Sequence, residues 1–319
     1  MKRILSGLLM LAMLMALLLG GAAAEPAANV AALKGPTAMG MVKLMSEHEG
    51  DYNFTIAAAI DEITPKLVKG ELDIAAVPAN LASVLYNNTQ GKVKVLAVNT
   101  LGVLYIVENG DTVKSVEDLR GRTIFASGKG ATPEYALNYL LSANGIDPEK
   151  DVTLEYKSEH SECLAALLAN EGSVAMLPQP FVTTAQLKQP EVKVVLDMNE
   201  EWAKLQEGSE TPSALITGVL VGRTEFIDQN QQAVSDFLDA YAQSVAFANE
   251  NAEETAALIG QYDIIPEAVA KAALPYCSIT YIDGEDMQNR LSGYLQVLFD
   301  QNPASVGGAL PDDAFYYKR

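Results

Sequence analysis

Gly70-Glu71-Leu72-Asp73-Ile74-Ala75-Ala76-Val77-Pro78 has a counterpart 100 residues further on, Asn170-Glu171-Gly172-Ser173-Val174-Ala175-Met176-Leu177-Pro178. In both copies a short apolar run ends on proline, as a buried strand would. A second pair lies upstream: Lys34-Gly35-Pro36-Thr37 recurs as Lys129-Gly130-Ala131-Thr132, an offset of 95. Between these markers the first half reads as strands at Asn29–Leu33, Tyr52–Ala58 and Leu72–Val77. They alternate with helices at Thr37–Glu47, from the predicted cap Thr64-Pro65 to Gly70, and at Ala79–Tyr86, before one long strand over Val93–Val107. The order restarts at Ser115, which with Asp118 opens a short helix. Strands follow at Thr123–Ala126, Val152–Tyr156, Val174–Leu177 and Val192–Leu196, with helices at Pro133–Asn144 and Cys163–Ala169. After a strand at Leu215–Val221, the chain beyond Asp228 is mainly helical: Val234–Asn249, Ala252–Tyr262, Glu267–Leu274 and Asp286–Phe299. Alternation at this spacing predicts βαβ units, hence an α/β fold, and the duplication predicts two similar lobes of about 100 residues.

The chain has 319 residues, 22 Lys and Arg against 41 Asp and Glu, and a formal charge of −19. With 49% hydrophobic residues it can bury a sizeable core, which excludes wholesale disorder. So large an acidic excess argues against nucleic acid as a partner, because phosphate backbones are bound by clustered Lys and Arg. At the N-terminus Lys2 and Arg3 precede an apolar run from Ile4 to Leu19 and the small residues Gly20-Gly21-Ala22-Ala23-Ala24. That order predicts a secretory signal peptide over residues 1–24, with a membrane anchor as the competing reading. No Cys ends the apolar run, so a lipid anchor is not expected, and the mature protein is placed in the periplasm or cell envelope. Export permits disulfides, but Cys163 and Cys277 are the only cysteines; two buried free thiols are expected, and a disulfide scaffold is excluded.

Each lobe presents a strand, a K-G-x-T turn and a helix. Thr37 and Thr132 read as N-caps and Pro133 as a first-turn residue. First-turn N–H groups lack partners inside the helix, and the adjacent Gly35 or Gly130 lets a ligand approach the backbone. In open α/β sheets such turns line the crevice at the carboxyl ends of the strands. The candidate ligand-binding residues are therefore Lys34, Gly35, Pro36 and Thr37 in the first lobe, and Gly130, Thr132, Glu134 and Tyr135 in the second. The second matched element adds Pro78 and Asn80, and Pro178 and Gln179, whose amides would orient a ligand or cap a helix. Tyr135 or Tyr52 would offer a ring for stacking, or belong to the core.

Enzyme motifs are largely missing. Gly128-Lys129-Gly130 fails as a phosphate loop, since Lys129 is followed by Gly, and fails as a dinucleotide fingerprint at its third Gly. The histidines, His48 and His160, lack metal-ligand spacing, so neither metal nor cofactor is expected. His48 reads as a surface helix end; His160 opens a helix, as a cap or near the cleft.

The stretches Val116–Ile124 and Thr132–Leu137, with Lys69–Ala75 and Leu177-Pro178-Gln179-Pro180-Phe181, resemble the nitrate/sulfonate/taurine-type solute-binding proteins of ABC transporters. The resemblance covers nearly all of the mature chain. It implies a type II periplasmic-binding-protein fold, with crossover strands near Tyr105–Glu108 and Ser213–Gly218 and a helical tail returning to lobe one. Residues 25–107 with 216–319 would form lobe 1, and residues 108–215 lobe 2. It also implies closure around a small solute, an organic or inorganic anion or a heterocycle, and delivery to permease subunits by a monomer. Where family members often carry Asp and Glu, this chain has Ser173 and Gln179, which disfavours a cationic ligand. The competing class is an enzyme on the same bilobal fold, with menaquinone-precursor or pyrimidine-synthase chemistry and His160 or Glu134 as base. Export argues against that class, because those pathways are cytoplasmic.

Overall fold

The computed structural model describes residues 27–208 and 213–319; the predicted signal peptide lies outside the described residues. The described chain forms two sheets flanked by thirteen α-helices. The first sheet has the order β11-β4-β10-β3-β1-β2, from β1 (Ala28–Leu33), β2 (Tyr52–Ala57), β3 (Ile74–Pro78), β4 (Val93–Leu101), β10 (Ile216–Arg223) and β11 (Ile279–Ile282). The second has the order β7-β6-β8-β5-β9, from β5 (Leu104–Asn109), β6 (Thr123–Ser127), β7 (Thr153–Lys157), β8 (Val174–Pro178) and β9 (Val192–Asp197).

The repeat seen in the sequence is realised strand for strand. In the first sheet β1 pairs in parallel with β2 and β3, and in the second β6 pairs in parallel with β7 and β8. In each case one antiparallel strand fills the next slot, β10 beside β3 and β5 beside β8. The matched prolines occupy matched positions: Pro78 pairs with Gly218, and Pro178 with Leu104.

The expected single strand over Val93–Val107 divides into β4 and β5, which lie in different sheets. Apolar character continues through the break, so hydropathy gives no sign of it; Gly102 and Val103 are where the chain changes sheet. A Cβ on Gly102 would stand 2.8 Å from Asn199 Cβ and 3.0 Å from Leu215 Cδ2, so the passage requires glycine. The return passage runs through Ser213–Leu215 into β10, near the expected second crossover. The expected helix Thr37–Glu47 is two short ones, α1 (Pro36–Met39) and α2 (Val42–Glu47), broken at Gly40, a poor helix former. Thr64 is inside α3 (Thr64–Lys69) rather than capping it; Ile63 holds the cap position, and Gly70 ends the helix in the left-handed conformation. Ser115 and Asp118 do form the expected capping box.

The remaining helices are α4 (Ala79–Thr89), α5 (Thr132–Ala143), α6 (His160–Ala169), α7 (Phe181–Lys188), α8 (Met198–Leu205) and α9 (Thr224–Gln229). The C-terminal set is α10 (Gln231–Glu250), α11 (Ala252–Gln261), α12 (Glu267–Ala273) and α13 (Gly284–Gln301). β11, α7, α8 and α9 were not expected from the sequence. One apolar core runs through both lobes, from Val95 and Val219 in the first sheet to Ile106 and Ile124 in the second. Trp202 of α8 joins it between Tyr139 of α5 and Tyr294 of α13, with ring centroids 4.6 and 5.6 Å away. Cys163 and Cys277 are free and buried, as expected, and burial pushes the Cys277 thiol up to about 12.

Gly102→Ala should lower the unfolding free energy by about 1–3 kcal/mol, the usual cost of overpacking. Denaturant unfolding checks this; an unchanged midpoint would show that the crossover has room for a side chain.

Candidate functional site

The carboxyl ends of the parallel strands β1, β3, β6 and β8 open on one cavity of about 300 Å³ between the lobes. Lobe one contributes the β1–α1 turn, Leu33 to Thr37, together with Pro78, Thr100 and Thr217. Lobe two contributes Gly128, Ala131–Pro133 at the start of α5, His160 of α6, and Pro178–Phe181 between β8 and α7. Val103 and Leu104 of the crossover form part of the wall.

Gly35 holds φ at 121° with ψ at −158°, a conformation that L side chains rarely adopt, and so turns the chain from β1 into α1. Gly35, not Thr37, is the N-cap of α1, and Ala131, not Thr132, is the N-cap of α5. Both threonine hydroxyls are spent otherwise. Thr37 Oγ1 donates to Leu33 O at 3.0 Å, back across the turn. Thr132 is buried and links the lobes: its Oγ1 donates to Asn80 Oδ1 at 3.2 Å and accepts from Tyr294 OH at 3.2 Å. Asn80 Nδ2 in turn donates to Ser305 O at 3.1 Å. On the opposite side of the crossover Tyr105 OH of β5 donates to Tyr276 O at 3.0 Å.

Of the residues singled out from sequence, Lys34, Gly35, Pro36, Thr37, Pro78, Thr132, Pro178 and Gln179 line this cavity. Asn80, Gly130, Glu134 and Tyr135 are not among its lining. Asn80 stands behind it in the interlobe hydrogen-bond chain. Glu134 Oε2 folds back to accept from Gly130 N. Tyr135 packs half-buried against the core, and burial raises its hydroxyl above the ordinary value. Tyr52 is also core, edge-on to Phe237 at 5.3 Å. Ser173 precedes β8, five residues from the cavity end at Pro178, or roughly 16 Å of strand. The expected bearing of Ser173 on the ligand's charge therefore falls away, and its counterpart Asp73 is paired instead with Arg223, Oδ1 to Nη2 at 2.8 Å.

Gln179 is buried, and its Oε1 accepts from Thr183 Oγ1 at 2.9 Å and Thr183 N at 3.3 Å. The unspent capacity of the side chain is its Nε2 amide. Lys34 Nζ is tied to Asp263 Oδ2 at 3.0 Å. His160 does not cap its helix; its Nδ1 is hydrogen-bonded to Ser127 Oγ, and its ring lies 5.3 Å from that of Phe181, inclined by 47°. Thr100, Thr217 and Phe181 extend the site beyond the residues chosen from sequence, and His160 lies at the cavity, the second of the two positions expected for it. Thr217 was hidden because its strand enters the cavity only through the antiparallel slot, which no local pattern marks.

Burial pulls the His160 imidazolium down to about 4, from an ordinary value near 6.5. Between those values the unfolded chain binds a proton here that the folded protein does not. Stability from this site is therefore complete above about pH 6.5 and lost as pH falls through about 4, to the extent of roughly 3 kcal/mol. The unfolding free energy of the wild type minus that of His160→Gln should be flat above neutrality and fall on acidification; a difference independent of pH would refute the buried neutral imidazole.

The family model described as ABC transporter, phosphonate, periplasmic substrate-binding protein matches residues 41–266, more than half of the chain. No curated protein gives a significant match. Among solved structures, the chain is similar to an ABC transporter from Parabacteroides distasonis, at 23% identity and TM-score 0.77 over 92% of this chain and 99% of that one. It is also similar to the periplasmic aliphatic sulphonate binding protein SsuA from Escherichia coli, at 15% identity and TM-score 0.71 over 91% and 92%. The periplasmic nitrate-binding protein NrtA from Synechocystis PCC 6803 matches at 16% identity and TM-score 0.56 over 76% and 68%. These likenesses establish the fold, and the family match establishes the role of solute-binding component of an ABC importer, working outside the cytoplasmic membrane. The chain belongs to the periplasmic substrate-binding proteins of ABC transporters.

Proposed function

We propose that the chain captures one small solute in the cavity between its lobes and hands it, chemically unaltered, to the importer's permease. The observation that carries this reading is that two matched pairs of strand ends, at Leu33 and Pro78 in one sheet and next to Gly128 and at Pro178 in the other, meet a single cavity. The contacts assigned to the solute are the Lys34–Thr37 turn, Pro78 and Thr217 from one lobe, and Thr132, His160, Pro178, Gln179 and Phe181 from the other. Gly130, Glu134, Tyr135 and Asn80 support those contacts from behind. The lobes are proposed to divide at Gly102-Val103 rather than at the expected residue 107, because β5 pairs in the second sheet, with the return to lobe one at residue 216 as expected.

A binding role without covalent chemistry is supported by the state of the Ser127–His160 pair. Ser127 is 2% exposed and its hydroxyl meets His160 Nδ1 behind the cavity wall, so it is not presented to a substrate. Residues 1–24 fit a signal peptide removed on export, and the mature chain is taken to act as a monomer. The acidic balance suits a protein that meets small solutes and a permease rather than nucleic acid.

Native mass spectrometry of the purified mature protein, followed by thermal shift against small solutes, tests the proposal. One unaltered solute per chain is expected, and at 100 times its dissociation constant it should add about 2.7 kcal/mol to stability. A solute consumed or converted during incubation would move the protein to the enzymes of this fold.

A further inference from the structure

We infer that the solute taken between the lobes is an uncharged polar ring compound, not the oxyanion for which the sulphonate- and nitrate-binding neighbours are named. This inference rests on the reading of the cavity as the solute site.

An anion buried between two lobes loses its hydration and needs an opposite charge or a set of free N–H donors in exchange. The cavity wall partly commits its charge and is short of N–H donors. Lys34, the cation in the wall, is paired with Asp263 at 3.0 Å, with 40% of its side chain exposed. The first turn of α5, where the helix dipole would favour a negative group, already has one: the Glu134 carboxylate lies there and accepts from Gly130 N. Three of the turns that meet at the cavity carry proline, Pro36 in α1, Pro133 in α5 and Pro180 before α7, and proline has no N–H to give.

What the wall retains is neutral and mixed. Thr37 Oγ1 gives its proton to Leu33 O, and Thr217 Oγ1 gives its proton to Leu101 O at 2.6 Å. Each hydroxyl is left with lone pairs, so toward the cavity it accepts. A sulphonate or nitrate has no proton to offer them and a phosphonate has one only in its monoanion, whereas a ring N–H, amide or hydroxyl does. Gln179 Nε2 supplies the complementary donor, because its Oε1 is occupied by Thr183. His160 stays an uncharged imidazole at neutral pH, since burial depresses its protonation. Its ring and that of Phe181, 5.3 Å apart, give the cavity an aromatic wall suited to a flat molecule. A volume of about 300 Å³ lies at the small end of the ~300–1,000 Å³ typical of ligand pockets, enough for one ring system.

The test is calorimetric titration of the mature protein with three pairs of compounds that differ in one group: uracil and orotate, nicotinamide and nicotinate, benzenesulfonamide and benzenesulfonate. At least one uncharged member should bind, and at least tenfold more tightly than its anionic partner. Its affinity should change less than about twofold between low and high salt, since screening acts on charge. An anionic member that binds as tightly as its partner, or more so, overturns the inference and leaves the solute-binding reading intact. Silence from all six compounds, with no solute carried through purification, overturns both.

Discussion

A backbone strand can complete its hydrogen bonds in one sheet at a time, and the whole architecture follows from where residues 93–109 change sheets. β4 spends its N–H and C=O groups beside β10, then two residues later β5 spends its own beside β8 and β9. Because β10 makes the reverse passage, each lobe is completed by a strand that arrives antiparallel from the other. The first sheet is therefore discontinuous in sequence, since β10 reaches it only after the whole second lobe, whereas strands β5–β9 of the second sheet are consecutive. The same exchange sets the cavity: the inserted strands pair with the proline-ended strands β3 and β8, and place Thr217 and Leu104 in the wall.

Around this exchange the lobes are held by groups of unlike kind. On one side a buried apolar and aromatic seam, Tyr139–Trp202–Tyr294, carries the core from one lobe to the other, and burial gives it strength without direction. Beside it the chain Tyr294–Thr132–Asn80–Ser305 supplies direction, since each polar group there is satisfied only when α5 and α13 are in register. Asn80 thus serves to fix how the lobes meet, Thr132 does so while also lining the cavity, and Glu134 fixes the loop before α5.

The sequence carried the duplication, the α/β class and most of the turns, because those depend on local patterns: apolar runs ending on proline, glycine at helix ends, the Ser115–Asp118 box. Eight of the twelve candidate residues line the cavity, and they are the ones at the strand ends, in the turns after them and at the first residues of the following helices. What the sequence left hidden depends on long-range pairing. Nothing local distinguishes Thr217 from any other strand threonine, and the break at Gly102 interrupts no hydropathy pattern. Thr37 and Thr132 have capping chemistry in the right place, but a carbonyl across the turn and an amide from the other lobe take their hydroxyls first. The meaning of Ser173 was misread for a similar reason, since distance along β8 separates it from the cavity.

The fold and family assign the chain to solute capture, while the wall of the cavity sets what can be captured. A crystal structure of the mature protein with its solute tests the account most directly. The account predicts solute density between the Gly35–Thr37 turn and Pro178–Phe181, within hydrogen-bonding distance of Gln179 Nε2 and of the Thr37 or Thr217 hydroxyl. Density anywhere else on the molecule, with this cavity collapsed or filled by protein, would contradict it.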